Sequence, residues 1–401
     1  MKGLCVQLGV VTTPQLHFAV QHMNGTLANH PHGDVQLLDL DDVYIRQYAT
    51  RFSSGLCRLM SRPDKIYNSA GSFVDLHVDC AHGVGGIALS KLNAALGSGD
   101  SPHKLRLHLY NLETDKPELL NLECGADFVK ISSQAPTIHF VHSNVPRSAT
   151  DRWATIDGDA DRLLYFYHDY SAECPRRIVL LDGDRIACLF ASFFTQLLNF
   201  TRSEHQLTVG VIQTAYANTG STAYLRNTLS VSVKCVPTGV KHLHHAARDF
   251  DIGIYFEANG HGTVLYSTAA LNYIRTLDAE HPLAIFYALT NTAVGDAITD
   301  ILLVEYALAW HTWSLFDWAA LYTESASRQV KVGVKDPSLI QTTDAERRVS
   351  SPAALQVNFN LSILRLYLSL TSIASVRVGL PLILSSASTV DSVALLRVTR
   401  M

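Results

Sequence analysis

The strongest constraint on this chain is a repeated unit: an apolar run, a glycine-bearing turn, then a helical pattern. "FVDLHVDCAHGVGGIALSKLNAAL" reads as a strand through Val78, a turn at Gly83 to Gly86 and a helix. "RIVLLDGDRIACLFASFFTQLL" repeats the unit with its turn at Asp182-Gly183-Asp184, and "LTVGVIQTAYANTGSTAYLRNTL" does so with Gly220-Ser221 opening the helix. Near-continuous apolar strands are strands buried on both faces. Alternating with helices, they predict an α/β chain with mainly parallel or mixed sheets flanked by helices. "FDIGIYFEANGHGTVLYS" departs from the unit, because two apolar strands flank a short glycine-rich loop; this predicts a hairpin that presents its loop. Residues 278–327 read as mostly helical, with Asp296, Asp300 and Glu305 on the polar side. "SRQVKVGVKDPSLIQTTDAERRV" reads as a strand, a turn at Pro337 and a helix starting near Thr343-Asp344.

A chain of 401 residues is too long for one ordinary core, so several domains are expected. With 47% hydrophobic and 17% charged residues it is globular rather than disordered. A net charge of -4 gives no general pull toward nucleic acid or an anionic membrane, so an anionic ligand has to be held by local groups. The start, "MKGLCVQLGVVTTPQ", has too short an apolar stretch and no small-x-small site for a signal peptide. The chain also has no apolar run long enough for a membrane span. Seven scattered cysteines without a CxxC pair fit a reduced, cytoplasmic compartment. From Val357 the composition changes: Lys and Glu vanish, Asp391 is the one acid, and no clean period appears, so 357–401 is an atypical tail.

Three stretches carry chemistry. In Asp157-Gly158-Asp159-Ala160-Asp161-Arg162, three carboxylates alternate with small residues. The small spacers let the backbone curl so that all three acids can face one hard cation, and Mg²⁺ takes carboxylate oxygens together with phosphate or water. Arg162 stands beside them as a phosphate-oxygen partner. An EF-hand is excluded, since its sixth and twelfth positions, Gly and Glu, are here Arg162 and His168. A solvated acidic turn is the bland reading, weakened by the mutual repulsion of three acids without a cation. In Phe256-Glu257-Ala258-Asn259-Gly260-His261-Gly262, a strand end delivers an acid and an amide, groups that bond sugar hydroxyls; Asn also bonds an N-acyl group. Against this stands an ordinary glycine-rich turn. In Thr238-Gly239-Val240-Lys241-His242-Leu243-His244-His245, Lys241 is placed to meet a phosphoryl group, while the histidines read as solvated residues of a helix start rather than a metal cluster.

These three stretches, in this order, resemble the α-D-phosphohexomutase superfamily. "GVVTTPQLHFAV", "CGADFVK", "QTAYANTGST", "AVGDAITDILLVE" and "TTDAER" extend the resemblance over about residues 9 to 356, and "FEANGHG" points to its acetylglucosamine branch. The resemblance implies four domains around a cleft, interconversion of N-acetylglucosamine 6-phosphate and 1-phosphate through a sugar bisphosphate intermediate, and a place in UDP-N-acetylglucosamine biosynthesis. It implies Mg²⁺ held by Asp157, Asp159 and Asp161, with Arg162 steadying the phosphoryl group. Glu257, Ala258 and Asn259 would read the sugar, and Lys241 would be an acid/base or phosphate contact. The corresponding division is 1–60 as the end of a first domain, 61–172 a second with the metal loop, 173–310 a third with the sugar loop, 311–356 the start of a fourth, then the tail. Two elements of the pattern are absent from the sequence: the Ser-His-Asn-Pro motif that carries the phosphoserine, and the Arg-Pro-Ser-Gly-Thr phosphate loop. Ser143-Asn144 in "VHSNVP" lies just before the metal loop and is not read as the nucleophile. The expectation is therefore a chain that begins inside the first domain and turns over little by itself. The alternative is a non-catalytic sugar-phosphate or partner-binding protein that keeps domains two and three.

Overall fold

The computed structural model describes residues 7–29, 39–61, 73–98, 104–136, 151–169, 177–201, 207–325, 328–333, 336–358, 360 and 394–399. Ser143-Asn144 and most of the tail lie outside them. Two helices lead, α1 (Thr13–Asn29) and α2 (Gln47–Met60). The latter is strongly amphipathic and buries Tyr48, Phe52, Leu56 and Leu59. The first sheet holds β1 (Phe73–Asp79), β2 (Lys104–Tyr110), β3 (Arg152–Ile156), β4 (Leu163–His168) and β5 (Ile178–Leu181), in the order β2-β1-β3-β4-β5. The three strands β2, β1 and β3 run parallel, whereas β4 and β5 add antiparallel. Helices α3 (Gly85–Gly97) and α4 (Gly125–Ser132) belong to this layer.

A long helix, α5 (Gly183–Thr201), leads to the second sheet, β6 (Val209–Thr214), β7 (Ser232–Val236), β8 (Ile252–Phe256) and β9 (Gly262–Tyr266), ordered β7-β6-β8-β9. Here too the parallel strands end in an antiparallel hairpin, β8–β9. The short α6 (Thr219–Ala223) and α7 (Val240–Ala247) connect its strands, and α8 (Thr268–Thr276), α9 (Pro282–Leu289), α10 (Ala297–His311) and α11 (Leu315–Ala319) follow. Mixed sheets, glycine turns and the glycine-loop hairpin all follow the pattern of the sequence. Among the described residues, no helix is long and apolar enough to cross a membrane.

The core is shared between the layers. Phe190, Phe193 and Phe194 of α5 pack, mostly edge to face, against Phe286, Phe256, Tyr306 and Trp310, drawn from α9, β8 and α10. Each such aromatic pair adds about 0.5–1.5 kcal/mol beyond its buried area. Helix α10 corrects the sequence reading. It has no polar side: every residue but Ala309 is buried, including Asp300 and Glu305. Two acids, Asp296 and Glu305, are accommodated from inside. Asp296 caps the helix, accepting from Ile298 N and Thr299 N, and also takes the Tyr44 hydroxyl at 2.5 Å. Glu305 meets Arg152 at 2.5 Å and the Tyr165 hydroxyl at 3.2 Å, which ties α10 to the first sheet.

The helix expected from Thr343 is a second correction. After β10 (Arg328–Gly333), residues Gln341–Thr343 (β11) and Arg348–Ser351 (β12) form an antiparallel hairpin. Its tip, Asp344-Ala345-Glu346, has φ of 56°, 53° and 67°, so the three residues are left-handed in succession. Arg347 closes the turn by donating to the Asp344 carbonyl at 3.1 Å and to its carboxylate at 2.5 Å. Ala and Glu favour helix by propensity, but strand pairing and this clamp override a weak preference. In the tail, Ala394–Thr399 (β13) pairs parallel with β10.

Candidate functional site

The aspartate loop is the tip of the β3–β4 hairpin. Asp157 Oδ1 accepts from the Asp161 and Arg162 amides at 3.0 and 3.2 Å, and Ala160 adopts φ 61°, which curls the loop onto itself. The result brings one carboxylate oxygen of each of Asp157, Asp159 and Asp161 within 4.8 Å of the others. Three elements hold the loop from outside. The glycine turn before α3 touches it backbone to backbone: Val84 N donates to Gly158 O at 3.0 Å, and a Cβ on Gly83 would stand 2.2 Å from that oxygen. The first amide of α10, Ala297 N, donates to Ala160 O at 3.0 Å. From α1, Thr13 donates its amide to Asp159 O at 3.3 Å and its hydroxyl to Asp159 Oδ2 at 2.8 Å.

The charges around the loop are unevenly compensated. Burial, then the neighbouring Asp161 and Asp159, push the Asp157 carboxyl far above the usual carboxylate range. Burial also works to raise Asp161, but the His261 hydrogen bond and charge, with Arg162, outweigh it and hold Asp161 low. Arg162 points its Nη1 at Asp127 and its Nε toward Asp157 and Asp161, at 3.4 and 3.6 Å. Asp161 Oδ1 is buried without a hydrogen-bond partner among the described residues. Three converging carboxylates, one with a raised proton affinity and one with an open oxygen, form an all-oxygen donor set. That set suits a hard divalent cation such as Mg²⁺ and not a nitrogen- or sulfur-seeking one.

The second loop is the tip of the β8–β9 hairpin, and the two tips meet. Leu163 N donates to Gly260 O at 3.2 Å, Arg162 and His261 form an antiparallel bridge, and His261 Nδ1 lies 2.9 Å from Asp161 O and 3.2 Å from its carboxylate. Gly260 has φ +90°, and a Cβ there would sit 2.1 Å from Leu163 O. Only glycine allows the loops this close. Glu257 is half-buried, Asn259 is half-buried with its Oδ1 accepting from His261 N at 3.2 Å, and Ala258 is buried between them. The Thr238-Gly239 turn joins the group through Gly239 N, which donates to Glu257 Oε1 at 3.3 Å. Lys241 is exposed on the first turn of α7.

All three stretches singled out in the sequence are therefore contiguous. Sequence reasoning missed three supporting side chains. His261 stands inside the glycine loop, and the sequence alone gave it no role. Thr13 and Asp127 belong to "GVVTTPQ" and "CGADFVK", where the residue types signal nothing without the fold.

Two mixed sheets thus present an aspartate tip and a Glu-Ala-Asn-Gly tip to one another. Family models described as phosphoacetylglucosamine mutase AMG1, domain II and domain III, match residues 63–164 and 182–313. The phosphoacetylglucosamine mutase of Saccharomyces cerevisiae is 39% identical over 370 residues, covering 89% of this chain and 62% of the relative. The crystal structure of Aspergillus fumigatus N-acetylphosphoglucosamine mutase in complex with GlcNAc-6P and magnesium superposes with a TM-score of 0.74 at 39% identity, covering 88% of this chain and 67% of that one. A structure of N-acetylglucosamine-phosphate mutase, a member of the α-D-phosphohexomutase superfamily, in its product complex gives 0.73 at 34%, covering 89% and 63%. The chain belongs to the phosphoacetylglucosamine mutase family. It spans about 60% of the length of the curated relatives it matches.

Proposed function

We propose that this chain carries the magnesium-holding and sugar-reading parts of a phosphoacetylglucosamine mutase, an isomerase acting between N-acetylglucosamine 6-phosphate and 1-phosphate. The observation that carries the reading is the meeting of the two hairpin tips, Leu163 N on Gly260 O, with three carboxylates on one side and Glu257 and Asn259 on the other. Asp157, Asp159 and Asp161 hold Mg²⁺, which when bound supplies counter-charge for phosphoryl oxygens. Arg162, whose guanidinium reaches from Asp127 to the aspartate loop, is the group that would steady the phosphoryl oxygens. Glu257 and Asn259 accept and donate to sugar hydroxyls and the N-acetyl group, with the Ala258 backbone between them. Lys241 extends from the adjacent turn as a phosphate contact or proton carrier. The domain division at 60, 172, 310 and 356 and a cytoplasmic place in UDP-N-acetylglucosamine synthesis belong to the same reading. The spans matched by the domain II and domain III models, 63–164 and 182–313, support the inner boundaries, and cysteines that are free wherever described support a reducing compartment.

Calorimetry on the full chain tests it. N-acetylglucosamine 6-phosphate should bind in the presence of Mg²⁺, at least tenfold more weakly after Asp159→Ala and after Glu257→Ala. Binding of the same strength in both variants, or none to the unaltered chain, would sink the reading.

A further inference from the structure

The hairpin of residues 341–351 has no role in the reading above, yet its tip reaches the site. Asp344, Ala345 and Glu346 are three consecutive non-glycine residues at positive φ, a backbone that persists only where surroundings hold it. Arg347 is spent on Asp344, clamping the turn from inside. Glu346 is left to point outward, and it makes no ion pair among the described residues. Instead its Oε2 accepts the backbone amide of Thr238 at 3.0 Å, across 108 positions of sequence. The neighbouring amide, Gly239 N, goes to Glu257 Oε1 at 3.3 Å. Two successive amides of one turn are thus held by two carboxylates from different parts of the chain. The turn needs holding: Gly239 sits at φ +122°, outside the regions side-chain-bearing residues favour, and Pro237 before it has no amide of its own to anchor.

We propose that Glu346 is a positioning residue: it pins the Thr238-Gly239 turn, and so fixes where Lys241 stands relative to the sugar loop. The inference rests on the sugar-reading role of Glu257. When Glu257 turns its oxygens to a sugar, its hold on Gly239 N weakens, and the Glu346–Thr238 bond remains to keep the turn in place. The hairpin then acts as a strut from beyond α11 onto the third-domain site. The bond is exposed, so its contribution is a matter of severalfold changes rather than of folding.

The experiment uses the full chain with Mg²⁺ and two variants, Glu346→Ala and Glu346→Gln. Hydrogen exchange of a peptide covering residues 235–245 should speed up severalfold at the Thr238 and Gly239 amides in the alanine variant. The glutamine variant, whose carbonyl oxygen still accepts, should keep most of the protection. Calorimetry should show a severalfold weaker affinity for N-acetylglucosamine 6-phosphate in the alanine variant alone, with unchanged melting in both. Unchanged exchange in Glu346→Ala, or equal losses in the two variants, overturns the proposal. Faster exchange in a chain that binds no sugar phosphate leaves the pin standing and removes the functional reading instead.

Discussion

Asp300 is a buried acid with nothing set against its charge among the described residues. It is 1% exposed, and neither carboxylate oxygen has a hydrogen-bond partner among the described residues. Burial first, then the Asp296 charge one turn before it, raise its pKa well above the ordinary value. For an acid whose folded pKa is raised, the favourable contribution is complete below the unfolded pKa and is lost as pH climbs toward the folded one. One such proton corresponds to about 1.4 kcal/mol per pH unit at most. Asp300→Asn should therefore gain on the wild type as pH rises from 4.5 to 7.5, read as diverging urea midpoints. Parallel midpoints across that range would show that Asp300 is not held neutral. The sequence placed Asp300 in a helix but on the wrong side. Its spacing from Asp296 and Glu305 looks like a solvated stripe, and nothing local says that Arg152, Tyr165 and Tyr44 arrive from other segments to receive the other two acids.

At the scale of elements, the site is two hairpins sharing a contact. Each sheet runs parallel and then turns back, and the first reversal, β3–β4 in one sheet and β8–β9 in the other, is where the chemistry sits. Gly260 is the point of closest approach. Gly260→Ala asks alanine to take φ +90° and puts its Cβ into the Leu163 carbonyl, so one tip has to retreat. The strain, of order 1–3 kcal/mol, predicts Mg²⁺ and sugar-phosphate affinities that both fall about tenfold or more. An unshifted magnesium titration beside weakened sugar binding would mean that the tips are not mechanically joined. Both hairpin loops were legible in the sequence: the first by its alternating acids, the second by glycines between apolar strands. Their contact was not, because the loops lie about 100 residues apart and backbone hydrogen bonds such as Leu163 N to Gly260 O leave no mark on side-chain types. The hairpin at 341–351 was misread for a related reason: Ala and Glu at its tip carry helix propensity, and only pairing across the strands cancels it.

For the whole molecule, the aspartate loop is a junction. It takes bonds from α1, from the turn before α3, from α10 and from the second sheet. A cation there that binds the folded form alone stabilises all of these together, by about 2.7 kcal/mol at a hundredfold excess over its dissociation constant. Melting should rise by several degrees with added Mg²⁺, fall back with a chelator, and show no dependence on Mg²⁺ after Asp159→Ala. A rise of the same size in that variant would place the cation elsewhere. The α/β class and mixed sheets were readable from glycine turns and apolar runs, because these are local. The layering around α10 was not, because a helix buried on every side shows no amphipathic stripe to read.

That burial has a consequence during synthesis. The strands of both sheets and α5 all precede Gly295, so they leave the ribosome before α10 does. The aromatic ring of α5, the Arg152 charge and the Ala160 carbonyl each await a partner on residues 297–311. Closure of this part of the core thus waits for one late helix, and for that interval the nascent chain exposes apolar surface that favours association with its neighbours.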